Sequence, residues 1–155
     1  DALPICEASI PRRTETLASQ AQASVSIPYG GYGLNDRFEP RNSADKSMQF
    51  HNWWQCFGTE EWAQYEWDQP MTLTEASVYW LELGHYDIDF QLPVSWRLEY
   101  KAGEKWLPVK NTDPYEIAKD KYCTVHFQPV RTKALRLTAQ LQEGKSAGIL
   151  EWKVR

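Results

Sequence analysis

Residues 93–109 read PVSWRLEYKAGEKWLPV, and this stretch decides the fold class. From Val94 to Lys101 apolar and charged side chains alternate. Trp96, Leu98 and Tyr100 fall on one side, and Arg97, Glu99 and Lys101 on the other. A period of two sets one face against a core and the other in water, the pattern of a half-buried strand. Pro93 opens the strand, Ala102-Gly103 supplies a turn, and Lys105–Val109 returns as the second arm of a hairpin.

The same period recurs on either side. Glu61–Trp67 sets Ala63, Tyr65 and Trp67 against Trp62, Gln64 and Glu66, and Pro70 is expected to end it. Thr74–Leu81 alternates through Ala76, Val78 and Trp80, and Tyr122–Phe127 through Cys123, Val125 and Phe127. Leu135–Leu141 and Ala147–Val154 close the series, the last with Leu150, Trp152 and Val154 facing inward. Thr16–Ile27, stopped by Pro28 and Gly30-Gly31, is the expected first strand. Gly84–Leu92 and Asn111–Asp120 read as loops. No amphipathic helix of useful length intervenes, so the strands cannot be joined as βαβ units. The expectation is an all-β chain: a two-sheet antiparallel β-sandwich, a jelly roll of about eight strands. Residues 1–15, with Pro4 and Pro11 and no period, read as a linker or edge segment, leaving 16–155 as the domain.

Composition narrows the function. A chain of 155 residues is the length of one domain, and 42% hydrophobic with 25% charged residues is the balance of a packed globular fold. A net charge of −4 argues against a nucleic-acid partner. The apolar runs are too short for a helix to span a membrane, and the first residues carry no secretory-leader pattern. Cys6, Cys56 and Cys123 allow at most one internal disulfide and show no zinc spacing. The unusual entry is aromatic: eight Trp, eight Tyr and five Phe. Most suit a β-rich core. The remainder suit sugar, whose apolar ring face packs on a flat aromatic.

The order of elements resembles the discoidin family, also called the coagulation-factor type C domain, a galactose-binding-like jelly roll. The likeness runs over residues 16–155. It rests on the Asn35-Asp36 loop ahead of Trp53-Trp54, then EWAQYEW, TEASVYW, the 93–109 stretch, KALRLTAQ and SAGILEWKV. The version here is most similar to C-terminal accessory domains of bacterial glycoside hydrolases of the β-L-arabinofuranosidase and β-hexosaminidase (chitobiase) types. That resemblance implies a secreted or periplasmic parent chain, a catalytic domain of that chain as partner, and a glycan or polysaccharide ligand. The alternative is a structural domain that packs on the catalytic domain without sugar affinity. A protein- or lipid-binding role, as in animal relatives, is disfavoured by the acidic balance and the lack of a basic apolar spike.

No catalytic constellation stands out. His51, His85 and His126 sit in no GxSxG or HExxH context, and Asp87 and Asp89 lie in a short loop where solvated carboxylates are common. The chain alone is therefore expected not to be an enzyme. Residues 34–45 supply Asp36, Glu39, Asn42, Ser43 and Asp45, hard oxygen donors of the kind calcium takes. The resemblance implies a structural Ca2+ held by the early-loop Asp36, by Glu151 of the last strand, by the Leu34 carbonyl and by Ser43. Arg37 stands where the family often has glycine. The competing reading makes Asp36 an Asx-turn cap and Glu151 a solvated strand residue. For sugar, adjacent Trp53 and Trp54 point to opposite sides in extended chain, so one anchors the core while the other faces a ligand. The candidate sugar residues are Trp54 with His51, and His85, Tyr86 and Asp87 in the later loop.

Overall fold

The computed structural model describes residues 14–85 and 88–155. The expected segment 1–15 lies outside them except for Thr14 and Glu15, as do Tyr86 and Asp87. The described residues form one short helix, α1 (Leu17–Gln20), and nine strands: β1 (Gln22–Val25), β2 (His51–Asn52), β3 (Glu60–Trp80), β4 (Leu83–His85), β5 (Ile88–Phe90), β6 (Ser95–Ala102), β7 (Lys105–Pro108), β8 (Tyr122–Gln140) and β9 (Gly148–Val154). Every ladder between these strands is antiparallel.

Two long strands, β3 and β8, run through both layers of the sandwich. Their first-layer halves pair Glu60–Glu66 with Ala134–Gln140, flanked by β1 on one side and by β6 and β7 on the other. Their second-layer halves pair Glu75–Tyr79 with Tyr122–His126, flanked by β9 and then β2. Register shifts between Glu66 and Met71, and between Leu73 and Glu75, mark the corner. Irregularities of this kind bend a strand and let it change sheets. Ring contacts then join the layers face to face. Tyr65 stacks on Trp152 at 3.9 Å, and Trp80 meets Trp96 edge-on at 5.7 Å. Leu73, Leu98, Leu135, Leu137 and Ile149 fill the space between, all fully buried, each contributing about 1.5–3 kcal/mol of transfer free energy.

Several local expectations change. Pro70 does not end a strand: it falls in the register shift, where no ladder N–H is needed, and β3 continues through it. Tyr122–Phe127 and Leu135–Leu141 are likewise parts of the single strand β8. Thr16–Ile27 begins as α1 because Thr16 and Ser19 cap one another reciprocally, side chain to backbone N–H, before β1 starts. Within 84–92 the chain makes the β4–β5 hairpin instead of a loop. Leu150 leaves the main core, because β9 slips register between its Tyr79 and Trp80 partners. It packs in a second cluster with Tyr79, Leu81 and Phe90. Cys56 and Cys123 are free thiols.

Candidate functional site

The site is built around Trp53-Trp54. Strand β2 pairs with β9 through His51↔Ile149 and Asn52↔Gly148, and the Trp53 N–H then donates to the Ala147 carbonyl at 3.0 Å. Gly148 is required there, since a Cβ would lie 2.5 Å from the His51 carbonyl oxygen and 2.7 Å from a Leu81 methyl. Trp53 is wholly buried, its indole N–H donating to the Trp62 carbonyl at 3.3 Å. Trp54 points the other way and keeps 37% of its surface exposed. It meets Phe57 edge-on at 5.4 Å and Phe90 at 6.4 Å. The two rings thus take the opposite sides expected of neighbours in extended chain, one in the core and one in solvent.

Three connections converge on this ring. The Gly58 N–H donates to the Lys145 carbonyl at 3.3 Å, and a Cβ on Gly58 would meet the Glu143 backbone at 3.3 Å. The β4–β5 hairpin joins them through Phe90, which bridges Ser146, and through Asp89, whose carboxylate pairs with Lys145 and accepts from the Gln91 amide. Asp89 is held below the usual carboxylate range, first by Lys145 and then by Gln91. The exposed Trp54 face thus meets Phe90, and the Asp89 carboxylate, the Lys145 ammonium and the Gln91 amide cluster with one another along the same hairpin and loop. That donor and acceptor set suits the hydroxyls and the apolar face of a sugar ring.

The sequence candidates fall unevenly on this arrangement. Trp54 is its centre. His51 is not at the surface: it is 1% exposed, its Nδ1 accepts from the Gly31 N–H at 2.9 Å, and its ring packs edge-on against Trp53 at 4.7 Å. Burial pushes its pKa down to about 3, so the ring is neutral. It positions the loop bearing the exposed Tyr29 and Tyr32, and its role is that of a buried support. His85 ends β4 opposite Ile88, which places its backbone at the hairpin tip. Tyr86 and Asp87 lie outside the described residues. Lys145 escaped sequence reasoning, because it meets Asp89 across 56 positions with no local motif to announce it.

The expected cation residues divide as well. Asp36 and Glu151 come together as neighbouring carboxyl groups, and the Arg37 N–H donates to Glu151 Oε2 at 3.1 Å. Arg37 adopts φ 68°, the left-handed region where glycine is at home. Glu151 is not solvated but 1% exposed, and its Oε1 has no hydrogen-bond donor. Burial, then the neighbouring Asp36, pushes its pKa up to about 10. Asp36 also makes the Asx turn, its Oδ1 accepting the Phe38 N–H at 3.0 Å. A buried Glu151 with an unsatisfied oxygen, beside the half-buried Asp36, fits a divalent cation. Leu34 and Ser43 fit it less well. The Leu34 carbonyl already accepts from the Trp152 N–H at 2.8 Å, and it shares the single Tyr65 hydroxyl proton, at 3.0 Å, with the Trp152 carbonyl at 2.8 Å. Ser43 is clamped to Asp120 through its N–H and hydroxyl, and its carbonyl takes the Glu82 N–H. Among the described residues no group of three or more His, Cys, Asp or Glu side chains is placed to hold a metal ion.

No protein-family model matches the chain. Solved structures do. A chain of the Streptococcus pneumoniae β-galactosidase BgaA superposes with TM-score 0.70 at 18% identity, over 92% of this chain and 94% of that one. Chitosan-binding module 1 of a Paenibacillus sp. IK-5 chitosanase/glucanase superposes with TM-score 0.55 at 14% identity, over 92% and 99%. The fold is that of carbohydrate-binding modules. A putative α-L-fucosidase of Bacteroides thetaiotaomicron matches with TM-score 0.61 at 15% identity, over 90% of this chain but 28% of that one, so the same sandwich also occurs inside larger chains.

Proposed function

We propose that this chain is a non-catalytic carbohydrate-binding module, the accessory domain of a secreted or periplasmic glycoside hydrolase. Its glycan site is the loop surface around Trp54, Phe57 and Asp89–Lys145. One observation carries the reading: Trp54 is held open to solvent on a base of packed rings, while its neighbour Trp53 anchors the core. The sugar ring lies against the Trp54 face, and Asp89, Lys145 and Gln91 bond its hydroxyls. In this reading the module supplies proximity to polymer and the parent enzyme supplies hydrolysis. We propose in addition that Ca2+ sits between Asp36 and Glu151, where it neutralises two adjoining carboxylates and ties the first long loop to the last strand. The arabinofuranosidase or chitobiase type of parent remains part of this proposal, supported by the sequence resemblance. A glycan array on the intact chain, followed by titration of any hit against Trp54→Ala, tests the assignment. Failure of every glycan to bind while the chain is folded favours a domain that only packs on its catalytic partner.

A further inference from the structure

A second feature lies on the solvent face of the first layer. Outward positions carry Trp62 on β3, Arg136 on the neighbouring β8 and Trp106 on β7, with β6 between the last two and its Glu99, the partner of Arg97, opposite Arg136. The Arg136 guanidinium lies between the two indoles, 4.4 Å from the Trp62 ring and 4.3 Å from the Trp106 ring. The Gln64 amide oxygen fixes it there, accepting from Nε at 2.9 Å and Nη2 at 2.7 Å. A planar cation held between rings is a rigid, flat platform on an otherwise polar sheet.

This platform runs into an opening of about 520 Å³ at the sandwich corner. The register shift after Glu66 creates it: residues 67–70 leave the ladder, and the facing stretch of β8 around Lys133 is left uncovered. Two contacts connect platform and opening. Lys101 lines the opening with its ammonium 6.0 Å from the Trp106 ring, and Glu66 lines it while accepting from the Gln64 amide at 2.6 Å. The walls carry three cations, Lys101, Arg131 and Lys133, against the single carboxylate of Glu66. Among the described residues no carboxylate lies within ion-pair distance of any of the three, and Arg131 bonds only the Thr72 hydroxyl. In a chain of net charge −4, three unneutralised cations around one opening beside an aromatic stack are a local reversal of sign.

We propose that this sheet face binds an acidic polysaccharide, a uronate chain. Its ring faces lie along the Trp62–Arg136–Trp106 stack and its carboxylates enter the Lys101–Arg131–Lys133 opening. The surface shares no residue with the Trp54 platform, so the inference does not rest on the function proposed above, and each can fail without the other. The test is affinity electrophoresis of the intact chain through gels containing polygalacturonate at low salt. Retardation is expected, weakening about tenfold in Lys101→Ala/Lys133→Ala and in Trp106→Ala, and weakening as salt is raised to screen the contacts. The charge-matched control Lys119→Ala/Lys121→Ala, whose lysines pair with Glu82 and Glu116 elsewhere, should be retarded as strongly as the parent, each measured against its own mobility in a gel without polysaccharide. Circular dichroism confirms that each variant is folded, and Trp106→Phe replaces Trp106→Ala if the latter is not. Absence of retardation overturns the proposal, as does equal weakening in the control. Retardation by polyphosphate that matches polygalacturonate and ignores Trp106 also overturns it, since polyphosphate has no ring to stack.

Discussion

Replacing Trp54 by Ala tests the loop platform, and the structure sets the size of the effect. Trp54 keeps 37% of its surface exposed. A tryptophan buries about 150–250 Å² when fully covered, so roughly 60–90 Å² is available to a ligand. At about 25 cal/mol per Å², covering that area contributes about 1.5–2.3 kcal/mol, or about 10- to 50-fold in Kd. The fold should survive. Trp54 makes edge contacts with Phe57 and Phe90, each worth about 0.5–1.5 kcal/mol, against a typical domain stability of about 5–15 kcal/mol. Trp53→Ala is the contrast: it empties a fully buried site and should cost about 3–5 kcal/mol. Calorimetric titration with the best oligosaccharide from an array, alongside thermal melts of both variants, reads both quantities. If Trp54→Ala binds as the parent does, the platform is misassigned. If it unfolds the chain as Trp53→Ala does, the ring is structural.

Other tests follow from the charged and titratable groups. Without a cation, folded Glu151 holds a proton up to about pH 10 that the unfolded chain releases near the ordinary glutamate value of 4.5. Its contribution is complete below that lower value and is lost as pH rises toward 10, so in chelator the melting temperature should fall across this window. Calcium should oppose the fall by favouring the ionised pair, and Glu151→Gln should flatten both responses; melts unaffected by calcium at either end of the window would defeat the cation assignment. His51 acts in the opposite sense. Its pKa is lowered from 6.5 to about 3 by burial, so its contribution is complete above pH 6.5 and is lost as pH falls toward 3. Acid unfolding should begin as the pH drops below 6.5, and a histidine proton titrating near its ordinary pKa in the folded protein's NMR spectrum would contradict the burial. Lys145→Ala removes the partner of Asp89 and should weaken glycan binding several-fold with little change in melting, read in the same calorimetric titration.

The fold was readable because strand alternation needs only neighbours. Trp96 and Leu98, or Leu135 and Leu137, declare a buried face within a few residues, and the structure buries all four. What local sequence does not declare is which strand each one joins or where a ladder slips. Pro70 looks like a terminator until β8 is seen facing a bulge that needs no N–H from it. Leu150 fits the alternation of β9 until the slip beside Tyr79 and Trp80 turns it to the second cluster. The site follows the same division. The opposite orientations of Trp53 and Trp54 follow from adjacency in extended chain. The burial of His51 does not, because it depends on Gly31 twenty positions earlier and on the register that packs Gly148 against β2.

That burial bears on how the platform binds. A loop aromatic that must be ordered on binding loses rotamer and backbone freedom, which subtracts from affinity. Here much of the ordering is already present. The neutral His51 ring ties the Gly31 loop to β2, Trp53 anchors the chain beside Trp54 in the core, and Gly58 and Lys145 join two connections by a backbone hydrogen bond. Trp54 therefore projects from a base held by groups buried beneath the proposed glycan surface. Its neighbour Trp53 and the His51 imidazole set the orientation of the ring, and their replacement should lower affinity through loss of position even where stability allows the chain to fold.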